Sequence, residues 1–362
     1  MKLTHLLSSL ADSCARGCEV IRSVEKRMSD PTKSSDLTVQ YKVEGDARSA
    51  LTEADVSSQL VIITCIRSVW GDSINIIGEE DNSDTNKLDV QETFQKYNVD
   101  LPTLRPVQKN FFGDDVDVDM NDITLYIDPM DGTREFVEGR YRNVQCLIGV
   151  CHKNLPICGV IGLPFVNQSG VNVICALNMK NTTIIETLTF CDGKGTMDEP
   201  HSFQTLEEPG SSDAHTLKLF TGDSNRITKK ISIDYLSGFM EADHQGHILN
   251  MCVTGGCGNK ILRLTACGSL GYNALAIMPP GTCSWDTAAP TALLLAACKK
   301  FDIDVKVTDM LGSELVYDSS GLNVTNSLGC FVSVGKMAVG YHELVCENMK
   351  NDSVVLESLF KK

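Results

Sequence analysis

The spacing of apolar residues predicts two amphipathic helices near the start of the chain. Within residues 1–28, apolar side chains recur every three or four positions, as they do on one face of a helix. A second stripe of this spacing covers residues 56–69 and stops at Gly71, and Thr52 or Asp55 can cap its first turn. Both segments are therefore expected to pack one face against a core.

Short apolar runs bounded by polar residues or glycine predict strands. The first of these runs cover residues 37–43, 74–77 and 123–127. Residues 81–122 are polar, and we expect the acidic run that they carry at 114–119 to be a solvated loop. Four more strands are predicted at residues 144–150, 157–162, 171–177 and 183–189.

Between Cys191 and His215 the chain is rich in glycine, proline, serine and acidic residues, as is typical of a domain boundary. We therefore predict an N-terminal α+β domain, residues 1–200, and a C-terminal α/β domain, residues 215–362. Strands and helices alternate in the second half, at residues 217–221, 227–240, 249–253, 272–278 and 287–299. Strands mixed with helices in both halves predict an α+β or α/β fold built in layers.

Composition and charge argue against two classes of protein. The 362 residues are 42% hydrophobic and 22% charged, and their mean hydropathy is −0.05. No apolar run approaches the roughly 18–20 residues that a membrane helix needs. The formal net charge of −15 repels nucleic-acid backbones. We therefore expect that the protein does not span a membrane and does not bind polymeric nucleic acid.

The cysteine content indicates the cellular compartment of the protein. Fifteen are spread along the chain without a Cys-x-x-Cys pair or the spacing of a zinc site, which indicates reduced and mostly buried thiols. Charged residues also interrupt the first predicted helix, where a signal peptide needs a continuous apolar core. Both observations predict a cytoplasmic protein.

Carboxylates recur where predicted strands or apolar segments end. Glu79, the pair Asp128 and Asp131, and Asp286, expected to cap a helix, each follow such a segment. Acids that converge in a cleft need an opposing charge, which divalent cations with oxygen ligands supply. Each motif alone is also explained by a turn, a helix cap or packing. Together and in this order they predict a magnesium site.

The segment Asp128-Pro129-Met130-Asp131-Gly132-Thr133 adds a place for phosphate. Gly132 permits a tight turn into the following helix, and the Gly132 and Thr133 amides at its start suit a phosphate oxygen. The Met130 carbonyl and the two aspartates can face one point. Metal ligands beside a phosphate cradle predict phosphoryl transfer.

These motifs give the sequence a family resemblance. Gly78-Glu79-Glu80, the Asp128 to Thr133 segment and Trp285-Asp286-Thr287-Ala288-Ala289-Pro290 resemble, in this order, the lithium-sensitive, magnesium-dependent phosphatases of the inositol monophosphatase superfamily. Gly255-Gly256-Cys257-Gly258-Asn259-Lys260 is most similar to the 3'(2'),5'-bisphosphate nucleotidases. The resemblance covers nearly the whole chain and implies a layered αβαβα fold, of the α+β class, with two subdomains.

The resemblance also implies a metal centre with two Mg²⁺ ions and leaves a third ion open. One ion would bind Glu79, Asp128 and the Met130 carbonyl. The second would bind Asp128, Asp131 and Asp286.

Other residues take roles around these ions by the same resemblance. Asp55 and Thr133 match the pair that orients and deprotonates the attacking water, and a carboxylate with a hydroxyl relay suits this step. Gly132 and Thr133 would bind the scissile phosphate, while Lys260 and Ser224 would contact the rest of the substrate. A solvated lysine at a helix end is the alternative for Lys260.

The expected reaction removes the 3'-phosphate of 3'-phosphoadenosine 5'-phosphate and gives AMP and phosphate. Two alternatives stay open: an inositol polyphosphate 1-phosphatase acting on an inositol bisphosphate, and a non-catalytic sensor of phosphorylated ligands with the same fold. Asp223 departs from the nucleotidase pattern, in which a histidine tends to precede Ser224-Asn225. The sequence leaves the oligomeric state open.

Overall fold

The structure is a computed structural model that describes residues 1–29, 40–41, 50–80, 88–100, 116–168, 170–179, 181–191, 194–196 and 215–360. Of the strand predicted at 37–43, only Gln40–Tyr41 (β1) lies in these ranges, and it pairs antiparallel with Ala50–Leu51 (β2). Among the helices described, none has the length and apolar character that crossing a membrane requires.

Two long helices cover one face of the first sheet. Helix α1 (Leu3–Ser29) buries its apolar stripe against this sheet, and helix α2 (Glu53–Trp70) packs beside it. Thr52 is the N-cap of α2, and Asp55 at the third helical position accepts the Thr52 N–H. Both predicted capping residues therefore take part, as a capping box.

The first sheet has seven described strands in sequential order. Strand β3 (Asn75–Gly78) runs parallel to β4 (Ile123–Asp131), and every later pair is antiparallel. The later strands are β5 (Gln145–His152), β6 (Leu155–Leu163), β7 (Val171–Met179), β8 (Thr182–Cys191) and β9 (Lys194–Thr196). The strands predicted here are confirmed, although β4 continues four residues beyond its predicted end at 127.

The polar segment 81–122 is not entirely a loop. Helix α3 (Val90–Lys96) forms within it, with the Asp89 side chain accepting the Glu92 N–H at 2.8 Å. Phe94 and Tyr97 are buried and anchor this helix to the core. The sequence pattern did not predict this helix, because a capped two-turn helix held by two aromatic rings needs no long apolar stripe. Residues 81–87 and 101–115, including the start of the acidic run, lie outside the described ranges.

A second short helix, α4 (Thr133–Val137), connects β4 to the segment before β5.

The second sheet is formed by strands of the second half, in the order β11-β10-β12-β16-β14. Its parallel strands are β10 (Thr216–Thr221), β11 (Ile248–Val253) and β12 (Asn273–Met278). Antiparallel neighbours are β14 (Val305–Thr308) and β16 (Cys330–Val334), and a separate small pair joins β13 (Thr282–Cys283) to β15 (Thr325–Asn326).

Helices of the second half form two of the layers. They are α5 (Ile227–Ala242), α6 (Cys257–Ser269), α7 (Ser284–Phe301), α8 (Lys336–Met349) and α9 (Ser353–Phe360). Helices α6 and α7 lie between the sheets, α7 on the first and α6 on the second, while α5 and α8 cover the outer face of the second sheet. This order of layers confirms the predicted αβαβα fold.

Two glycines of the first sheet permit the close approach of α7. A Cβ at Gly149 would lie 2.4 Å from the Ala288 side chain, and one at Gly159 would lie 2.2 Å from the Ala289 carbonyl oxygen. Helix α7 belongs to the second half by sequence but packs on the first sheet, so the two halves share a helical layer. The domain limits 1–200 and 215–362 stay a prediction, because residues 197–214 lie outside the described ranges.

The described cysteines agree with the prediction of buried thiols. Fourteen are described with their side chains, none of these is in a disulfide, and all but Cys252 and Cys283 are buried. Burial raises the pKa of several of these thiols, Cys346 to about 11 among them, which keeps them protonated at neutral pH.

Candidate active site

A bulge in β4 brings Asp128 and Asp131 to the same cleft. In a regular strand, residues three apart point to opposite faces of the sheet. Here Asp128 pairs with Leu147 and Asp131 with Gln145, so β4 holds one more residue than β5 between these pairs. The extra residue lets both carboxylates line one cleft.

Asp286 reaches these two aspartates from helix α7. One carboxylate oxygen from each of Asp128, Asp131 and Asp286 lies within 4.8 Å of the others. The Asp286 carboxylate accepts the N–H of Cys283, the N-cap residue, at 2.5 Å. The prediction that Asp286 itself caps the helix was wrong, because α7 begins at Ser284, three residues before the predicted start.

Glu79 enters the same cleft at the end of β3. Its N–H donates to the Ile127 carbonyl at 2.9 Å, which continues the parallel pairing of β3 with β4, and its side chain hydrogen-bonds Asp128. The Gln59 side chain holds both backbone groups of the next residue, Glu80. It donates to the Glu80 carbonyl at 2.8 Å and accepts the Glu80 N–H at 3.0 Å. Parallel neighbours end at one edge of a sheet, so Glu79 and Asp128 come together there.

The clustered carboxylates disfavour each other's ionised forms. Burial, followed by the charges of Glu79, Asp131 and Asp286, raises the pKa of Asp128 well above its ordinary value. Burial and then Glu79 raise the pKa of Asp286 to about 8. Burial raises the pKa of Asp131 to about 6, although nearby Lys260 opposes the shift. Acids this close are stabilised by protonation or by a bound cation.

Thr133 connects this cluster to a buried acid behind it. Its hydroxyl donates to Asp55 Oδ1 at 2.8 Å and lies 3.2 Å from the Met130 carbonyl oxygen. Asp55 Oδ2 accepts the N–H and the hydroxyl of Thr52 at 2.7 and 2.8 Å. Burial, followed by the charge of Glu79, raises the pKa of Asp55 to about 6. Thr133 lines the cleft and Asp55 is 1% exposed, so Asp55 is connected to the cleft through its hydrogen bond with Thr133.

Helix α6 joins the second half to the cluster. The N–H groups of Cys257 and Asn259 donate to the two oxygens of Asp131 at 2.8 and 3.3 Å. Lys260, one position further, is only 7% exposed, and its Nζ donates to the Gly256 carbonyl at 2.9 Å. The alternative of a solvated lysine at this position is therefore wrong.

A cleft of about 640 Å³ collects these groups. Gly132 has a φ of +93° and turns the chain from β4 into α4, a conformation that favours glycine. Apart from Asp55, every residue predicted for the site lines the cleft: Glu79, Asp128, Met130, Asp131, Gly132, Thr133, Ser224, Lys260 and Asp286.

Sequence reasoning missed several charged residues at the mouth of this cleft. Arg134 donates from Nη1 to Asp223 Oδ2 at 2.6 Å and from Nε to Glu138 at 2.7 Å. Arg226, the N-cap of α5, also lines the cleft. The only sequence signal for these arginines was their position next to predicted site residues: Arg134 follows Thr133, and Arg226 lies two residues after Ser224. The spacing of apolar residues does not distinguish an exposed charged residue at a cleft from one on any other solvated surface.

Comparison with solved structures supports the fold. The extragenic suppressor protein suhB of Bartonella henselae aligns with a TM-score of 0.56 at 11% identity, covering 94% of this chain and 98% of that one. CysQ of Bacteroides thetaiotaomicron, described as a bacterial member of the inositol monophosphatase family, aligns with a TM-score of 0.51 at 17% identity, covering 90% and 96%. Identities this low show the shared fold.

Sequence comparison identifies the family. Two relatives named 3'(2'),5'-bisphosphate nucleotidase 1 are similar over most of their length. The one from Dictyostelium discoideum is 25% identical over 89% of this chain and 91% of its own, and the human one is 26% identical over 92% and 96%. The model of the inositol monophosphatase family matches residues 4–349. With this match over almost the whole chain, the protein belongs to the inositol monophosphatase family and is a phosphatase of that family.

Proposed function

We propose that the protein hydrolyses the 3'-phosphate of 3'-phosphoadenosine 5'-phosphate in a Mg²⁺-dependent reaction that gives AMP and phosphate. The observation that carries the proposal is the cluster of Asp128, Asp131 and Asp286, joined at one cleft to the Thr133–Asp55 pair. The choice of substrate rests on the motif resemblance and on the nucleotidase names of the relatives. The cytoplasmic location remains part of the proposal and rests on the cysteine content.

The donors of the cleft fit a hard divalent cation. They are carboxylate oxygens and a backbone carbonyl, and their mutual repulsion favours positive charge between them. We assign Glu79, Asp128 and the Met130 carbonyl to one Mg²⁺, and Asp128, Asp131 and Asp286 to a second. Bound Mg²⁺ would neutralise phosphate charge and acidify water at the site.

Asp55 and Thr133 serve as the proton acceptor. The Thr133 hydroxyl gives its hydrogen to Asp55, so a lone pair on the Thr133 oxygen remains for the hydrogen of a water in the cleft. With a pKa of about 6, Asp55 is ionised at pH 7 and is a stronger base than an exposed aspartate. The water proton can pass to Thr133 while the Thr133 proton passes to Asp55.

The remaining predicted residues hold the substrate. Gly132 and Thr133 line the cleft with the carboxylate cluster, and their amides would bind the scissile phosphate. Lys260 and Ser224 line the second-half wall of the same cleft and would contact the distal phosphate and the nucleoside. Because Lys260 is shielded from water, its contact with an anion is stronger than that of an exposed lysine.

An inositol polyphosphate 1-phosphatase is the second candidate, because Asp223 departs from the nucleotidase pattern, in which a histidine tends to stand at this position. The metal-binding residues recognise a phosphate ester and do not distinguish the two substrates. Asp223 lines the cleft beside Ser224, so the departure lies where the rest of the substrate would bind.

Phosphate release from a panel of substrates tests these assignments. The panel contains 3'-phosphoadenosine 5'-phosphate and inositol 1,4-bisphosphate, each with Mg²⁺ or with EDTA. We expect the nucleotide to give the higher kcat/KM and EDTA to stop release. A better result with inositol bisphosphate would replace the nucleotidase assignment by the 1-phosphatase. Binding of either compound without any release would support the sensor.

Lithium provides a further arm of this assay. By the family resemblance, LiCl should inhibit much more strongly than NaCl or KCl at matched ionic strength. Equal inhibition by the three salts would reduce the effect to charge screening and remove lithium sensitivity from the proposal.

A further inference from the structure

An ion pair crosses the mouth of the cleft from one half of the chain to the other. Arg134 is the second residue of α4, in the first half, and Asp223 follows β10, in the second half. The Nη1 of Arg134 lies 2.6 Å from Asp223 Oδ2, and both residues line the cleft beside Ser224. A substrate that fills the cleft therefore meets both charges.

The pair is suited to exchanging partners. The Arg134 side chain is 30% exposed and that of Asp223 is 57% exposed, and ion pairs this accessible contribute little to stability. Glu138, which does not line the cleft, holds the Nε of Arg134 at 2.7 Å. When Asp223 is displaced, Glu138 keeps the guanidinium in place and Nη1 becomes available to another anion.

Other cations surround Asp223 on the second-half wall. Arg226 and Lys260 line the cleft, and Lys229 donates from Nζ to the Gly222 carbonyl at 2.8 Å. A second phosphate in this region is attracted by these cations and by Arg134, while Asp223 repels it. Asp223 therefore competes with the substrate's second phosphate for Arg134.

We propose that Arg134 and Asp223 set the selectivity of the cleft between substrates with one phosphate and substrates with two. Arg134 exchanges Asp223 for the distal phosphate, and Asp223 weakens binding of that phosphate through competition and repulsion. The inference rests on the proposed function in taking a bisphosphorylated compound as the substrate. It predicts that neutralising Asp223 strengthens bisphosphate turnover and leaves monophosphate turnover nearly unchanged.

The test compares Asp223→Asn with Asp234→Asn. Asp234 is an exposed aspartate of α5 outside the cleft lining, so its substitution removes the same charge away from the cleft. The substrates are two matched pairs, 3'-phosphoadenosine 5'-phosphate with adenosine 3'-phosphate, and inositol 1,4-bisphosphate with inositol 1-phosphate. In Asp223→Asn we expect kcat/KM to rise about three- to tenfold for the bisphosphates and less than about twofold for the monophosphates. Asp234→Asn should change kcat/KM for every one of these substrates by less than about twofold.

A double substitution tests whether Arg134 is the group that leaves Asp223 to bind the distal phosphate. Arg134→Gln alone should lower kcat/KM about three- to tenfold for bisphosphates, and the double variant Arg134→Gln with Asp223→Asn should regain only part of the Asp223→Asn increase. Equal changes for mono- and bisphosphates, or an Asp234→Asn effect as large as that of Asp223→Asn, would overturn the proposal. If no nucleotide is hydrolysed, the nucleotidase assignment fails and the inositol pair still tests the selectivity role.

Discussion

The two walls of the cleft differ in how firmly they hold their charged groups. On the first-half wall, Asp128, Asp131 and Asp55 are at most 5% exposed and are fixed by a strand bulge and a capping box. On the second-half wall, Asp223 and Arg226 are exposed, and Asp223 forms an ion pair across the mouth. A buried, fixed wall suits chemistry that needs accurate geometry, whereas an exposed wall can change partners. We therefore propose that the first-half wall carries most of the reaction and that the exposed part of the second-half wall selects the substrate.

The largest effect should follow a change in the carboxylate cluster. Replacing Asp131 or Asp286 by Asn removes one charge from the proposed metal ligands without changing volume, so we expect kcat to fall more than about a thousandfold. Circular dichroism should show an unchanged fold. Asp302→Asn, an exposed aspartate outside the cleft lining, is the matched control. An Asp131→Asn variant with near-normal kcat under Mg²⁺ would falsify the metal assignment.

The Thr133–Asp55 pair should give the next largest effect. We expect Thr133→Ala and Asp55→Asn to lower kcat about a hundredfold with little change in KM, because both groups act on the water. Thr133→Ser keeps the hydroxyl and should retain most activity. The double variant should have a kcat only slightly below that of the slower single variant, since the two groups act as a unit. A rise in KM alone would assign these residues to substrate binding.

Lys260 tests the buried part of the second-half wall. Its loss in Lys260→Ala removes a charge-assisted contact of about 1.5–3 kcal/mol, so kcat/KM for both bisphosphates should fall about ten- to hundredfold. Exposed Lys230, outside the cleft lining, provides the control Lys230→Ala. If both lysine variants behave alike, general charge and not a direct contact explains the effect.

The smallest expected effect is on stability. The pKa values of Asp131 and Asp286 are raised in the fold, to about 6 and about 8, so the metal-free folded state holds their protons more tightly than the unfolded state does. This contribution to stability is complete below about pH 4 and is lost as pH rises through 6 to 8. Mg²⁺ should therefore raise the Tm more at pH 8 than at pH 5.

A single substitution isolates this effect from other titrating groups. Asp286→Asn removes part of the repulsion, so at pH 8 in EDTA its Tm should exceed that of the unchanged protein by a few degrees. The same variant should gain less from Mg²⁺. A lower Tm for Asp286→Asn in EDTA would show that Asp286 stabilises the metal-free fold and that repulsion does not dominate.

The sequence anticipated the fixed wall better than the exposed one. Apolar runs located the strands. The acids that follow β3 and end β4 line the cleft, because the carboxyl ends of neighbouring parallel strands meet at one edge of the sheet. The bulge between Asp128 and Asp131 gave no sequence signal, since it depends on the pairing of β4 with β5. Helix α3 was missed because its stability comes from the Asp89 cap and from buried aromatic rings, not from a long periodic stripe.

The sequence by itself determined the order of most elements and the residue types of the carboxylate cluster, because apolar periodicity and short motifs are local properties of the chain. Tertiary structure decided the contacts between distant segments. It placed Asp55 behind Thr133, buried Lys260 beside Asp131, and joined Arg134 to Asp223, 89 residues apart in the chain. These contacts depend on how two sheets and a shared helical layer pack, and no local pattern encodes that packing.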